Sequence, residues 1–294
     1  MVAEVEREIP TQPAMWRRAV DVAAASSERL PSPGERVAVV GCGTSWFVAQ
    51  AYASLREAGG GGATDAFAAS EAPFTRDYDR LVAVSRSGTT TEVARLLGAI
   101  PAATRTVAIT AVADSPVAEE AGDVILLDFA DERSVVQTRF ATTALALLRA
   151  SLGDDVERVA ADGEEALRRP LPDGLEGFGH FVFLGRGWTV GLANEAALKF
   201  REAAQAWTES YPAMEYRHGP ISVAGPASLV WSLGSVGDDV VRDVAATGAT
   251  VVSSDLDPMA ELVVAQRAAI ALAASKDLDP DRPRHLTRSV VLPE

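Results

Sequence analysis

The stretch Val82-Ala83-Val84-Ser85-Arg86-Ser87-Gly88-Thr89-Thr90-Thr91-Glu92-Val93-Ala94 constrains this chain more than any other. A β-branched apolar run ends in a turn crowded with hydroxyls. The spacing then changes to the amphipathic period of a helix that starts at Thr90 or Thr91 and runs to Ile100. Strand, turn and helix start in that order bring unpaired backbone N–H groups and the positive end of the helix dipole to one spot, where an anion binds without a lysine. Ser85, Ser87, Thr89 and Thr90 add hydroxyls around such an anion. The alternative is a single hydroxyl that does no more than cap the helix.

An anion held there has to be held locally. With 27 basic against 41 acidic residues the formal charge is -14, so a nucleic-acid backbone or an anionic membrane is repelled overall, and neither is expected as a partner. The 294 residues, 48% of them apolar, are enough for two domains with their own cores. Cys42 is the only cysteine, which excludes an internal disulfide and a cysteine-rich metal site, and it reads as a small buried filler. No signal-peptide core or membrane-spanning run is present, so the expected location is cytoplasmic.

A second strand, glycine turn and helix precede the first. Val37 to Val40 run into Gly41-Cys42-Gly43-Thr44-Ser45, and Trp46 to Arg56 follow with helical spacing. Thr44 and Ser45 supply more hydroxyls at a helix start, while Trp46 stands where a dinucleotide fingerprint needs its third glycine. Upstream, residues 12–30 have the spacing of a helix packed on the outside of the first domain. Residues 66–70, 106–110 and 124–127 read as further strands, with a short helix over 116–121 and a longer one over 140–152 ending at Gly153. Short strands alternating with helices imply a parallel sheet covered on both faces, whose ligands bind at the carboxyl ends of the strands where strand order reverses.

The charged, proline-bearing stretch 161–177 is the candidate linker, dividing the chain into domains 1–160 and 161–294. The pattern then restarts: strand 181–184, the turn Gly185-Arg186-Gly187 and a helix over 192–207. Shifting the first half by 144 positions lays Gly41 and Gly43 on Gly185 and Gly187, a faint repeat in which Trp188-Thr189 replace Thr44-Ser45. Phosphate is therefore expected in the first half only. Later strands are read at 229–233, 250–253 and 289–292, with a long helix over 258–275.

Two groups outside the turns could carry chemistry. Glu195, Lys199 and Glu202 fall on one line of their helix, beside an apolar stripe of Ala193, Ala196, Phe200, Ala203 and Trp207. A partly desolvated carboxylate there is a usable proton shuttle; the alternative is a solvated face of Glu–Lys pairs. His218, in Tyr216-Arg217-His218-Gly219-Pro220, sits at a loop tip as either a general acid or base or a histidine that only bonds its own loop. No histidine pair has metal-binding spacing, so neither a metal nor any cofactor is expected.

Taken together, the motifs at 39–45, 69–71 and 84–90, Leu184-Gly185-Arg186-Gly187, Glu195-Ala-Ala-Leu-Lys199-Phe-Arg-Glu202 and His218-Gly219-Pro220 resemble the tandem sugar isomerase (SIS) domain family. Within it the likeness is to the isomerase half of the glutamine:fructose-6-phosphate amidotransferases. It extends from Glu8-Ile9 and Gln12-Pro13 to the tail 281–290. The resemblance implies an α/β fold of two SIS subdomains, each a doubly wound parallel sheet with helices on both faces, in a homodimer. It implies a sugar 6-phosphate lying across Thr44, Ser45, Ser85, Arg86, Ser87 and Thr90; Gln137 and Arg139 lie in a loop expected to face the substrate. The glutamate matching Glu202 then moves a proton between C1 and C2. The histidine matching His218 opens the ring from the neighbouring subunit, and Glu195 and Lys199 help hold the site.

Two departures redirect that expectation. The sequence has no glutaminase domain or amino-terminal cysteine nucleophile, so glutamine is not expected as nitrogen donor. In the tail, Arg288 replaces the lysine that forms an imine with the sugar, and arginine cannot do so. The expected function is an isomerase or deaminase acting on an amino sugar or ketose 6-phosphate of the glucosamine 6-phosphate or fructose 6-phosphate type. A non-catalytic sugar-phosphate sensor and a fructosamine-phosphate deglycase are the alternatives.

Overall fold

The apolar runs become strands buried on both faces, as parallel sheets require. The computed structural model describes residues 3–73 and 76–293. Helices α1 (Glu4–Glu8) and α2 (Gln12–Ala25) come first. Strands β1 (Val37–Gly41), β2 (Thr64–Ala68), β3 (Arg80–Ser85), β4 (Arg105–Thr110) and β5 (Asp123–Leu126) then form a parallel sheet in the order β2-β1-β3-β4-β5. Helix α3 (Thr44–Ala58) follows β1, α4 (Thr91–Ala99) follows β3, and the short α5 (Pro116–Glu120) precedes β5. The chain passes from β1 out to β2 and back to β3, with Val39 paired to Val82, so strand order reverses between the two turns singled out above.

Helices α6 (Arg139–Ser151) and α7 (Val156–Arg168) lead into the second half. Its strands β6 (His180–Gly185), β7 (Thr208–Pro212), β8 (Ser228–Leu233) and β9 (Thr250–Val252) form a parallel sheet in the order β7-β6-β8-β9, the same path as β1 to β4. Helix α8 (Thr189–Ala204) joins β6 to β7, followed by α9 (Ala213–Tyr216), α10 (Asp238–Ala246) and α11 (Pro258–Ser275). The two halves meet along α3 and α8. A Cβ on Gly191 would lie 2.5 Å from the carbonyl oxygen of Phe47, so only glycine allows this approach. Alongside, Asn194 donates to Gln50 at 2.7 Å; the two residues are 144 positions apart, the offset of the sequence repeat.

Several elements differ from expectation for identifiable reasons. The candidate linker is helical as far as Arg168, because Val159, Ala160, Gly163 and Ala166 form a buried stripe. Helix α2 ends at Ala25, short of residue 30; one face is buried at Trp16 and Ala19, the other is exposed at Arg18 and Asp21, and Gln12 donates to Gln266 of α11 at 2.7 Å. The helix expected over 192–207 runs from Thr189 to Ala204, with Gln205 left-handed at its end, and Trp207 lies beyond it, 74% exposed rather than on the apolar stripe. Residues 289–292 form no strand, whereas Thr208–Pro212 do, recruited by register with β6.

Candidate active site

Both turns of the first sheet open on one cleft of about 250 Å³. Thr44 and Ser45 line it from the start of α3, Ser85, Arg86, Ser87 and Thr90 from the turn before α4, and Gln137 from the loop before α6. Glu202 enters from α8 in the second half, and tail residues 286–290 complete the wall. A larger groove of about 560 Å³ lies elsewhere on the first sheet, around Phe67, Tyr78 and Ile100, but no set of hydroxyls converges on it. Chemistry, not size, marks the smaller cleft.

The hydroxyl-rich turn is shaped by Gly88, which has φ +65° and where a Cβ would fall 2.1 Å from Ser115 Oγ. Thr90 occupies the N-cap position of α4, yet its hydroxyl makes no capping bond, so capping alone does not account for it. Ser85 Oγ is buried without a partner. Ser87 Oγ accepts from the amide of Thr89 at 3.2 Å, while the Thr89 hydroxyl sits 2.8 Å from Ser289 Oγ and is turned to the tail. Three of the four hydroxyls thus face the cleft.

The charged line read on α8 forms as a buried cluster. Lys199 is 1% exposed; its Nζ donates to Glu202 Oε2 at 2.5 Å and to Thr44 Oγ1 at 3.1 Å, and lies 3.4 Å from Glu195 Oε1. A solvated Glu–Lys face is therefore not what forms. Burial pushes the Glu195 carboxyl up to about 7, with the Lys199 charge pulling the other way and Glu202 adding to the rise. Its oxygens accept no hydrogen bond of good geometry, and the Lys199 ammonium at 3.4 Å is the charge that compensates it. Burial also works against the Lys199 ammonium, but the two carboxylates prevail and hold its pKa above the ordinary lysine value.

The remaining residues named from the sequence are Arg86, Arg288, Cys42 and His218. Arg86 lines the cleft, but its guanidinium donates to the carbonyls of Ser134 (2.8 Å) and Arg288 (3.0 Å) and so fastens loop to tail. The Arg288 guanidinium is bound to the Asp131 carboxylate and the Glu132 carbonyl. Cys42 is not a buried filler: it is half-buried and lines the cleft, with burial and then Glu92 raising its thiol to about 11. His218 is exposed on the turn after α9 and does not line the cleft of its own chain. Glu132 and Glu8, buried behind the Gln137 loop, were not singled out as site residues from sequence; their partners lie at no helical spacing. Among the described residues no group of three His, Cys, Asp or Glu could hold a metal, and no helix is long and apolar enough to cross a membrane.

Comparison with known proteins adds a frame. Residues 32–152 match the family described as SIS domain. The chain is 28% identical over 305 residues to glutamine–fructose-6-phosphate aminotransferase (isomerizing) of Methanothermobacter thermautotrophicus, covering 88% of this chain and 52% of that protein. The enzyme of the same name from Sulfurisphaera tokodaii is also 28% identical, with 88% and 50% covered. This chain spans about half the length of these relatives. Among solved structures, glucosamine-6-phosphate deaminase from Thermotoga maritima superposes with a TM-score of 0.84 at 25% identity, covering 99% of this chain and all of that one. Tagatose-6-phosphate ketose/aldose isomerase from Escherichia coli shares the fold, with a TM-score of 0.82 at 20% identity over 99% of this chain and 96% of that one.

Proposed function

We propose that this chain, whose residues 32–152 match the SIS domain family, is a phosphosugar isomerase or deaminase using Glu202 as its base. The substrate is an amino sugar or ketose 6-phosphate of the glucosamine 6-phosphate or fructose 6-phosphate type. One observation carries the reading: a carboxylate from the second half lies in the cleft lined by the hydroxyls of the first, and a buried ammonium links it to Thr44.

The phosphoryl group is held by the amides at the start of α4 and by Ser85, Ser87 and Thr90, and the open-chain sugar extends C1 and C2 toward Glu202. Glu202 takes the proton from one carbon and returns it to the other. Lys199 offsets the negative charge that builds on the sugar oxygen during the transfer. With glucosamine 6-phosphate the proton passes from C2 to C1, leaving an imine at C2 that water hydrolyses to fructose 6-phosphate and ammonia. In this reading His218 of a second copy assists ring opening, in a homodimer.

The test is to incubate the protein with glucosamine 6-phosphate while following ammonia and fructose 6-phosphate. Glu202→Gln should lower turnover by about 10²- to 10⁴-fold with sugar-phosphate binding retained; undiminished turnover removes Glu202 from the reaction. A sugar-phosphate sensor is the second reading. It is favoured by the Arg288 guanidinium, which is committed to Asp131 and Glu132 and offers the sugar no nucleophile. Tight binding without turnover of any hexose or hexosamine 6-phosphate would select it.

A further inference from the structure

The loop before α6 is held at both ends by buried carboxylates. Glu8 of α1 accepts the amides of Arg133 (2.6 Å) and Ser134 (3.4 Å). Glu132, whose side chain is wholly buried, accepts the amides of Thr138 (2.8 Å), Arg139 (2.8 Å) and Phe140 (3.0 Å) and the Thr138 hydroxyl (2.9 Å). Five backbone donors of this loop and the first turn of α6 thus end on two acid side chains. Between the grips the chain alternates: Val136 points into the core, and Val135 and Gln137 line the cleft. Gln137 Nε2 is buried there with no hydrogen-bond partner.

Burying two carboxylates side by side is a costly way to hold a loop, since each charge must be fully hydrogen-bonded or neutralised. Arg86 and Arg139 supply the nearby positive charge, at 3.9 Å from Glu132 and 3.9 Å from Glu8. What this arrangement gains over an apolar packing is a fixed position for the backbone, and the side chain so fixed is an amide with a free donor facing the cleft. That donor lies on the wall formed by the loop before α6, separate from the hydroxyl turn that precedes α4.

We propose that Glu8 and Glu132 are positioning residues that hold the Gln137 amide against an oxygen of the sugar, so that the cleft prefers a phosphosugar to phosphate alone. The proposal rests on reading the cleft as a phosphosugar site. Glutamine in place of either glutamate keeps the shape but turns an amide NH₂ toward backbone N–H groups, which loosens the grip.

Calorimetric titration with fructose 6-phosphate and with inorganic phosphate, on the full chain, tests it. Wild type should bind the sugar phosphate more tightly than phosphate. Glu8→Gln and Gln137→Ala should each weaken fructose 6-phosphate by about tenfold while leaving phosphate within about twofold. The double variant should be no weaker than Gln137→Ala alone, because the grip acts through that side chain. Equal loss for both ligands in Glu8→Gln, or full additivity in the double variant, overturns the proposal. If Glu8→Gln does not fold, Glu132→Gln is read by the same criteria, and an unchanged preference in Gln137→Ala overturns it without either. A wild type that binds phosphate with no preference for the sugar overturns the phosphosugar reading itself, and the positioning role with it.

Discussion

The turn after β3 and the turn after β8 occupy the same place in two sheets of the same topology, yet they are electrostatic opposites. In the first, α4 begins after Ser87-Gly88-Thr89-Thr90, with hydroxyls facing a cleft. In the second, α10 begins with Asp238 and Asp239, and Asp239 is paired with Arg217 at 2.8 Å. Two carboxylates at the positive end of a helix dipole already supply the negative charge that a phosphoryl group would bring. The companion turns differ too: Thr44 and Ser45 line the cleft, with the Thr44 hydroxyl accepting from Lys199 at 3.1 Å, whereas the Thr189 hydroxyl accepts from the amide of Arg186 at 2.8 Å and Trp188 packs beside Arg149. At one and the same switch-point position, the side chains alone make one turn hydroxyl-lined and the other acidic. The second half contributes a helix instead, and the charged line on α8 reaches into the cleft of the first.

The sharpest way to break this contrast is to copy one half into the other. Thr90→Asp should reduce phosphate affinity on the order of 100-fold, measured by calorimetry, because a carboxylate then faces the phosphoryl group. Retained affinity would mean that the helix start is not the anion site. In the same turn, Gly88→Ala forces a side chain onto a left-handed backbone and into Ser115; a loss of about 1–3 kcal/mol in unfolding free energy is expected by denaturant titration.

Glu195 gives a pH-dependent test of the charged line. Burial holds its folded pKa at about 7, above the ordinary carboxylate value of 4.5, so the folded state binds the extra proton between these values and stability falls as pH rises from about 4.5 to 7. Glu195→Gln should remove that slope, a change on the order of 3 kcal/mol across the window in unfolding free energy from denaturant titration. An unaltered slope would place the titration elsewhere. The smallest effect is expected at the seam between halves. Asn194→Ala should cost about 0.5–1.5 kcal/mol, and its cost should largely vanish in a Gln50→Ala background.

Much of this architecture is legible in the sequence because local signals and tertiary roles coincide. Around residues 82–94 the change from apolar run to amphipathic period marks β3 and α4, and the same change marks β1 and α3. Elsewhere they diverge. Thr208–Pro212 carries no apolar run, and its strand exists because β6 offers it a register. Val290 and Val291 look like strand residues but lack a partner strand and stay exposed. The line Glu195, Lys199, Glu202 was readable from helical spacing, but its burial depends on Thr44, 155 residues from Lys199. Nor could spacing reveal that Arg86 and Arg288 end on carbonyls, or that Glu8 grips amides 125 and 126 positions away.

The bond between Asn194 and Gln50 has a wider consequence. When two identical polypeptides meet on a dyad, every residue near the axis faces its own twin, and any mutation strikes both sides at once. Here the twins are written at separate places in one polypeptide and are free to differ. That freedom lets one copy carry the hydroxyl-lined cleft and the other send a carboxylate and a buried ammonium to it, a division of labour closed to a perfectly symmetric pair.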